Sequence, residues 1–241
     1  MKQTKNKEEA YVEILKRKLK KDSNIVKLLT TKKWWTDINL VIEAFKELKS
    51  LQTQSLLKNM NVSEEVIIKN DPHKGVYVNG TVIASRKIKL NPPIALEGPL
   101  IIGPESEIGP FSYIKGPTIL VGNNRIGLFV EVRRSILFPS VKLSHLAYIG
   151  HSILGREVNI GALSVTAVRN LKTKEIKIKY MGSKINTKES HFGCIISDGV
   201  QTSVGTYIMP GIIIASKKPI FSFDKEKGIL HVIKDNILLY D

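Results

Sequence analysis

Aliphatic residues recur at every sixth position through the middle of the chain. Val82, Ile88, Ile94 and Leu100 begin the series, and after a two-residue slip it continues with Ile102, Ile108, Ile114, Leu120, Ile126 and Val132. A period of six does not match an α-helix, whereas it matches a short strand and a tight turn with one aliphatic side chain facing inwards. Three such units would make a coil of eighteen residues. The pattern predicts a mainly β protein with a parallel β-helix over residues 76–216. The alternative is an antiparallel sandwich of regularly spaced strands.

Glycine follows several of these aliphatic residues. The pairs stand at 102–103, 108–109, 126–127, 149–150, 154–155 and 160–161. Glycine in this place predicts a turn with positive φ, or a backbone approach too close for a side chain. Ile108 and Ile126 are one full coil apart, so we expect their side chains to stack directly.

Helical periodicity precedes the repeat. Tyr11, Ile14, Leu15 and Leu19 predict a helix over residues 8–21, and an apolar stripe predicts a second helix over 37–51 with Asp37 as its N-cap. Residues 1–60 are therefore predicted to be an N-terminal helical segment. Its role is open, and one possibility is a cap that covers the strand edges of the first coil.

The repeat weakens at two places and then fades. Irregular residues occur at 138–144, and a loop insertion is predicted at about 167–190. Within this loop, Ile176, Ile178 and Tyr180 alternate with lysines before Met181 and Gly182, which predicts a hairpin. The tail at 217–241 is predicted to form short strands.

Composition narrows the function classes. The hydrophobic content of 42% suffices for an ordinary core, and the one cysteine, Cys194, excludes an internal disulfide framework and a cysteine-based zinc site. No apolar run resembles a signal peptide or a membrane span, so we expect a cytoplasmic protein without a membrane partner. The net charge of +15 is dispersed and lacks interleaved aromatic residues, which favours small phosphorylated ligands over nucleic acid.

The run GLFVEVRRSILFPSVKLSHLAYIGHSILGREVNIGA at residues 127–162 resembles a known family. It is similar to the acetyltransferase region of bifunctional glucosamine-1-phosphate acetyltransferase and N-acetylglucosamine-1-phosphate uridylyltransferase enzymes, especially the archaeal sugar-1-phosphate nucleotidylyltransferase branch. The similarity extends from about Lys115 to Gly211. It implies a left-handed parallel β-helix of hexapeptide repeats, a homotrimer, acetyl-CoA as co-substrate, no metal requirement and a role in UDP-N-acetylglucosamine biosynthesis.

A second segment, KKWWTDINLVIEAFKEL at 32–48, resembles the end of the nucleotidylyltransferase domain in the same proteins. The first thirty residues contain no glycine-rich nucleotide loop. We therefore expect no nucleotidyl transfer by this chain on its own, and a full-length relative is a candidate partner.

The resemblance assigns a catalytic base. In the family, a histidine in a Gly-His-Leu-x-Tyr context removes a proton from the sugar amine, and the matching segment here is Ser144-His145-Leu146-Ala147-Tyr148. Histidine suits this role because its ordinary pKa lies near working pH. The other histidines are expected to be structural.

Binding residues are carried over in the same way. Lys115 and Arg133 match the pair that holds the sugar phosphate, with the two residue types exchanged. Glu131, Tyr148 and Asn159 match positions near the sugar. Ala162 matches a position near the acetyl-CoA thioester, and Lys174 matches a position on the lysine-bearing loop. Lys177 is a further basic candidate for binding the phosphates of either ligand.

Two departures from the family pattern concern the acetyl group. Val168 stands where the family has an asparagine that places the amine and the acetyl group, and Leu163 replaces a glycine. A valine side chain forms no hydrogen bonds. Two hypotheses follow. The first is an acetyl-CoA-dependent N-acetyltransferase acting on glucosamine-1-phosphate or galactosamine-1-phosphate, and the second is a catalytically degenerate paralogue that serves as a trimeric binding or scaffold protein.

Overall fold

Three sheets of short strands run along the molecule, and the chain passes from one sheet to the next in turn. The computed structural model describes residues 2–19, 22–51, 56–57, 60–61, 63–221, 223–224, 229–230 and 232–239. Sheet A comprises β1 (Glu65–Ile67), β3 (Val82–Ser85), β6 (Leu100–Ile102), β9 (Thr118–Leu120), β12 (Ile136–Leu137), β15 (Ile153–Leu154), β20 (Cys194–Ile196), β22 (Ile212–Ser216) and β26 (Ile237–Leu239).

The other two sheets complete the coils. Sheet B comprises β2 (Val76–Asn79), β5 (Ile94–Glu97), β8 (Ser112–Lys115), β11 (Glu131–Arg133), β14 (Tyr148–Gly150), β17 (Val165–Thr166), β21 (Tyr207–Ile208) and β25 (Val232–Ile233). Sheet C comprises β4 (Lys89–Leu90), β7 (Glu107–Ile108), β10 (Arg125–Ile126), β13 (Lys142–Leu143) and β16 (Asn159–Ile160). The strands of each sheet pair in parallel, except that β1 is antiparallel to β3. The predicted β-helix is confirmed, and the sandwich alternative is wrong.

The residues of the six-residue period fill the interior. Ile108 pairs with Ile126, as predicted, and both side chains are fully buried in the inner core. Leu100 and Ile102 lie two apart on β6 and both belong to this core. The two-residue slip is therefore a strand that contributes two inward side chains, since alternate residues of a strand face the same side.

The glycines of the repeat allow neighbouring coils to approach closely. A Cβ atom at Gly127 would lie 1.4 Å from the carbonyl oxygen of Ser144 in the next coil. The corners with positive φ are instead occupied by other residues, among them Phe129, Leu146 and Leu163. Close approach was thus the correct reason for these glycines, and positive φ was not.

A second hydrophobic core lies on the outer side of sheet A. Seven isoleucines pair in an unbroken column there, and each is at most 3% exposed: Ile83, Ile101, Ile119, Ile136, Ile153, Ile195 and Ile213. The column packs against helices α1 (Lys2–Lys18), α2 (Asn24–Thr30) and α3 (Ile38–Lys49). The helices therefore lie along the flank of sheet A, where they bury its outer apolar surface over many coils, which is a larger contact than the predicted cap over the first coil.

Polar contacts fix the helices on this flank. The indole Nε1 of Trp34 donates a hydrogen bond to Oδ1 of Asp198 (3.1 Å), and its rings lie 4.8 Å from the ring of Phe138. The hydroxyl of Tyr11 donates to Glu105 (3.0 Å) at a corner of the β-helix. Helix α3 begins after Asp37, which accepts a hydrogen bond from the amide of Leu40 (3.0 Å) as predicted for an N-cap.

The helix boundaries differ from the predicted ones. Helix α1 begins earlier than residue 8, and residues 20–21 lie outside the described part of the chain. Helix α2, capped by Ser23, was not predicted. Among the described residues, none of the helices has the length and apolar character needed to cross a membrane.

The loop and the tail both add strands. The predicted hairpin consists of β18 (Lys177–Tyr180) and β19 (Ser183–Asn186), and its buried Ile176 and Ile178 extend the outer core over the last coils. In the tail, β23 (Phe223–Asp224) and β24 (Ile229–Leu230) form a second hairpin. Strands β25 and β26 pair with β21 and β22, so coil pairing continues beyond the predicted end at residue 216.

Candidate active site

The outer face of sheet B carries two columns of polar side chains. Lys115 pairs directly with Arg133, and Glu131 pairs with Tyr113 on one side and Tyr148 on the other. The residues between them, such as Val132, belong to the inner core. The structure thus brings Lys115, Glu131, Arg133 and Tyr148 onto one surface.

The two cations of this surface already have partners. Nζ of Lys115 lies 2.7 Å from Oε1 of Glu97, and the guanidinium of Arg133 donates to Glu131. The hydroxyl of Tyr113 also donates to Glu97, and Arg133 lies 5.4 Å above the ring of Tyr113. Hydrogen bonds from Lys115 and then Tyr113 lower the pKa of Glu97, while Glu97 raises the pKa of Lys115. The surface is therefore close to electrically neutral, and a phosphate bound there would compete with two carboxylates.

His145 lies at the corner between sheets C and B. It follows β13 and precedes Leu146, whose φ is +52°. The carbonyl of His145 accepts a hydrogen bond from the amide of Leu163 (3.0 Å), and the carbonyl of Ala162 accepts one from Gly205 (2.7 Å). His145 and Ala162 thus occupy equivalent corner positions in successive coils. The His145 side chain is exposed to solvent.

Tyr148 lies on β14, three residues after His145. Its hydroxyl lies over Gly150, because a Cβ atom at that glycine would come within 2.5 Å of the hydroxyl oxygen. Burial raises the pKa of Tyr148, and Arg133 opposes this effect. The hydroxyl therefore stays protonated at neutral pH and can donate or accept a hydrogen bond.

The remaining predicted residues lie elsewhere. Asn159 is on sheet C, paired with Lys142, and its neighbour Ile160 faces the interior, so Asn159 faces outwards from a different side of the prism. Lys174 is exposed in the loop before β18. The structure of one chain therefore does not bring Asn159 or Lys174 onto the sheet B surface.

A large groove separates the loop hairpin from the last coils. Its volume is about 1160 Å³, and Tyr148 and Lys177 contribute to its wall. The apolar part of the lining includes Val165, Val168, Leu171, Met181, Met209 and Ile212. Its basic part comprises Arg169, Lys172, Lys177, Lys179, Lys184 and Lys234, against one acidic residue, Asp235.

Sequence reasoning missed most of these basic residues. Their lysines appeared dispersed because the loop and the tail are separated in the chain, and only the fold brings them together. One signal was present, since Lys177 and Lys179 alternate with the buried Ile176 and Ile178 on the hairpin. A period of two places such lysines on one face of a strand.

Comparisons with known proteins agree with the predicted resemblance. The chain is 32% identical over 146 residues to a bifunctional sugar-1-phosphate nucleotidylyltransferase/acetyltransferase of Sulfurisphaera tokodaii, covering 61% of this chain and 36% of that protein. It is 30% identical over 149 residues to the bifunctional protein GlmU of Methanococcus vannielii, covering 62% and 36%. The chain thus spans little more than a third of the length of these curated relatives.

Structural and family comparisons complete this result. A hexapeptide transferase family protein from Anaplasma phagocytophilum aligns over 61% of this chain and 74% of its own, with a TM-score of 0.41 and 13% identity. That similarity is too low to support an inference about function. The family model of the GMPPB C-terminal domain matches residues 96–229, which is more than half of the chain. The chain therefore belongs to the GMPPB C-terminal domain family.

Proposed function

We propose that the protein is an acetyl-CoA-dependent N-acetyltransferase that acts on an amino-sugar 1-phosphate. The observation that carries the proposal is the position of His145 and Ala162 at the same corner of successive coils, with Tyr148 three residues along the chain. These three residues match the base, the thioester position and a sugar-binding tyrosine of the similar enzymes.

In the proposed reaction, neutral His145 accepts a proton from the sugar amine as the amine nitrogen attacks the thioester carbonyl. The new nitrogen–carbon bond forms, the carbon–sulfur bond breaks, and the coenzyme thiolate leaves and is protonated. Lys115 and Arg133 would bind the phosphate, while Tyr148 and Glu131 would orient sugar hydroxyls. Because an acyl thioester is already activated, backbone N–H groups suffice to stabilise the oxyanion, and no metal is required.

The groove beside the hairpin fits acetyl-CoA as co-substrate. A ligand of this kind has a long, weakly polar arm and several phosphates. The groove combines an apolar wall with six basic residues, including Lys177. Val168 lies in the same wall, and its apolar side chain can offer a ligand no hydrogen bond.

A homotrimer would bring the divided site residues together. Asn159 and Lys115 project from different sides of one β-helix, while sheet A is covered by its own helices. A site that uses both residues therefore needs sheet C of one copy next to sheet B of another, as symmetric association would provide.

Co-expression of His145→Ala with Asn159→Ala chains tests this arrangement. Partial recovery of turnover in the mixed oligomers supports a shared site, and no recovery opposes it.

The direct test of the activity is CoA release from acetyl-CoA with glucosamine-1-phosphate or galactosamine-1-phosphate as acceptor. Removing a general base typically costs about 10²–10⁴-fold in rate, so we expect a loss of that size in His145→Ala. His73→Ala is the matched control, because His73 is an exposed histidine in a 3-10 turn far along the chain from the site. A folded wild-type protein that releases no CoA would contradict the proposal.

The second candidate function is a binding or scaffold role without catalysis, for which a full-length nucleotidylyltransferase relative is the candidate partner. Two observations favour it: the side chain of Val168 provides no hydrogen bond in the groove, and Glu97 and Glu131 neutralise the two residues predicted to bind the phosphate. Binding of acetyl-CoA or sugar phosphate without turnover would support this alternative.

A further inference from the structure

A cluster of basic side chains lies at the corner between sheets B and A, outside the residues assigned above. Arg134 and His151 occupy equivalent corner positions in successive coils, since Arg133 pairs with Gly150 in the adjoining strands. Neighbouring strands are about 4.8 Å apart. The two side chains therefore originate one above the other.

The neck of the loop adds two more members. The amide of Phe192 donates a hydrogen bond to the carbonyl of Val168 (3.0 Å), which places Arg169 and His191 side by side just outside this pair. The rings of His151 and His191 stack with their centroids 5.5 Å apart. Two arginines and two histidines from three distant parts of the chain thus meet at one corner.

The positive charges of this cluster are not balanced by ion pairs among the residues that the structure describes. Neither Arg134 nor Arg169 has an ion pair with any residue that the structure describes, while Glu189 pairs with Lys49 and Glu131 with Arg133. His151 is 5% exposed, and its Nδ1 has no hydrogen-bond partner among the described residues. Burial and the charge of Arg134 lower the pKa values of both histidines, Arg169 further lowers that of His191, and Glu189 only partly opposes this effect for His191.

We propose that Arg134, Arg169 and His191 form a binding site for a phosphate-class oxyanion, distinct from the neutralised Lys115–Arg133 pair. Guanidinium groups provide several directed donors that match such an anion, and a bound dianion would relieve the repulsion among the basic groups. The site does not depend on the proposed acetyl transfer. Its ligand is either free phosphate or the phosphate of a larger molecule, since Arg169 also lines the groove beside the hairpin.

The test is an NMR titration of the His191 imidazole in the full chain, with inorganic phosphate, glucosamine-1-phosphate and adenosine 3′,5′-bisphosphate as separate probes. An anion beside a histidine raises its pKa by about one unit, so the His191 pKa should rise with at least one probe. The probe that binds most tightly identifies the source of the phosphate. The absence of any shift with all three probes would overturn the proposal.

Matched variants localise the effect. Arg134→Gln combined with Arg169→Gln should abolish the shift, and Arg134→Lys alone should weaken it less than Arg134→Gln. Glu189→Gln should strengthen binding, because it releases Lys49. Arg125→Gln on sheet C removes one positive charge from an exposed site, as Arg134→Gln does at the cluster, and should leave the shift unchanged. A shift that survives the double substitution, or disappears equally in the Arg125 control, would contradict the assignment. Because the readout is binding, failure of catalysis leaves it intact.

Discussion

Sheets A and B follow the same repeat, yet their outer faces differ completely. On sheet A the outward positions are seven stacked isoleucines, buried beneath three helices and the loop hairpin. On sheet B the equivalent positions carry Tyr113, Glu131, Tyr148, Lys115 and Arg133, which remain partly exposed. The inward residues build the β-helix on every side, whereas the outward residues decide which side is closed by the chain and which can bind a ligand.

Removing the large aromatic side chain that packs the helices against sheet A should have the largest effect on stability. Trp34 is fully buried between Trp35 and Phe138. We expect Trp34→Ala to lower the free energy of unfolding by about 3–5 kcal/mol, as is usual for a large aromatic side chain in a core. Chemical denaturation measures this value. Tyr77→Ala, which removes a half-exposed ring from sheet B, is the control and should cost much less. Equal losses would show that the two faces do not differ as described.

Acid should have the second largest effect on stability, through His151, whose ring lies beside Phe45 of helix α3. Burial, assisted by Arg134 and His191, lowers the pKa of His151 from its usual 6.5 to about 4. The unfolded chain therefore binds a proton more readily between these values, and stability should fall as pH decreases from about 6.5 to 4, by roughly 3 kcal/mol in all. His151→Phe keeps a ring beside Phe45 and should reduce this slope, although His191 still contributes. Denaturation midpoints across this pH range test the prediction, and an unchanged slope in the variant would count against it.

The ion pair of Glu97 with Lys115 on the outer face of sheet B should make a smaller contribution to acid destabilisation, and at lower pH. Lys115 and Tyr113 lower the pKa of Glu97, so its contribution is complete above the unfolded value of about 4.3 and is lost as pH falls through the lower folded value. The effect should be small because the pair is exposed to solvent. Thermal midpoints of wild type and Glu97→Gln should differ slightly at pH 7 and converge near pH 2. A difference that persists at pH 2 would rule out the ion pair as its cause.

The sequence predicted the inner core better than the outer one. The six-residue period identified Ile108, Ile126 and Val132 as inward residues, and it predicted the direct stacking of Ile108 on Ile126. The period did not indicate the isoleucine column, because it follows inward residues such as Leu154 and carries no information on the outward residue beside each one, such as Ile153. Consecutive aliphatic residues in a short strand indicate burial on both faces, and this feature would have placed the helices on sheet A.

The candidate site was predictable only where it follows the repeat. His145, Ala162 and Tyr148 lie close together because they are in successive or adjacent units of one corner. The ion pairs of Lys115 and Arg133 depend on side-chain conformations that periodicity does not determine. The basic groove and the Arg134–His191 cluster combine residues far apart in the chain, so only the folded loop reveals them.

Amide hydrogen exchange, with and without acetyl-CoA and glucosamine-1-phosphate, tests the division between the two faces most directly. We predict slower exchange on ligand addition in peptides covering 113–115, 131–133, 145–150 and the hairpin at 177–186, with no change in helices α1 to α3. Protection confined to the three helices, with sheet B unchanged, would contradict the account.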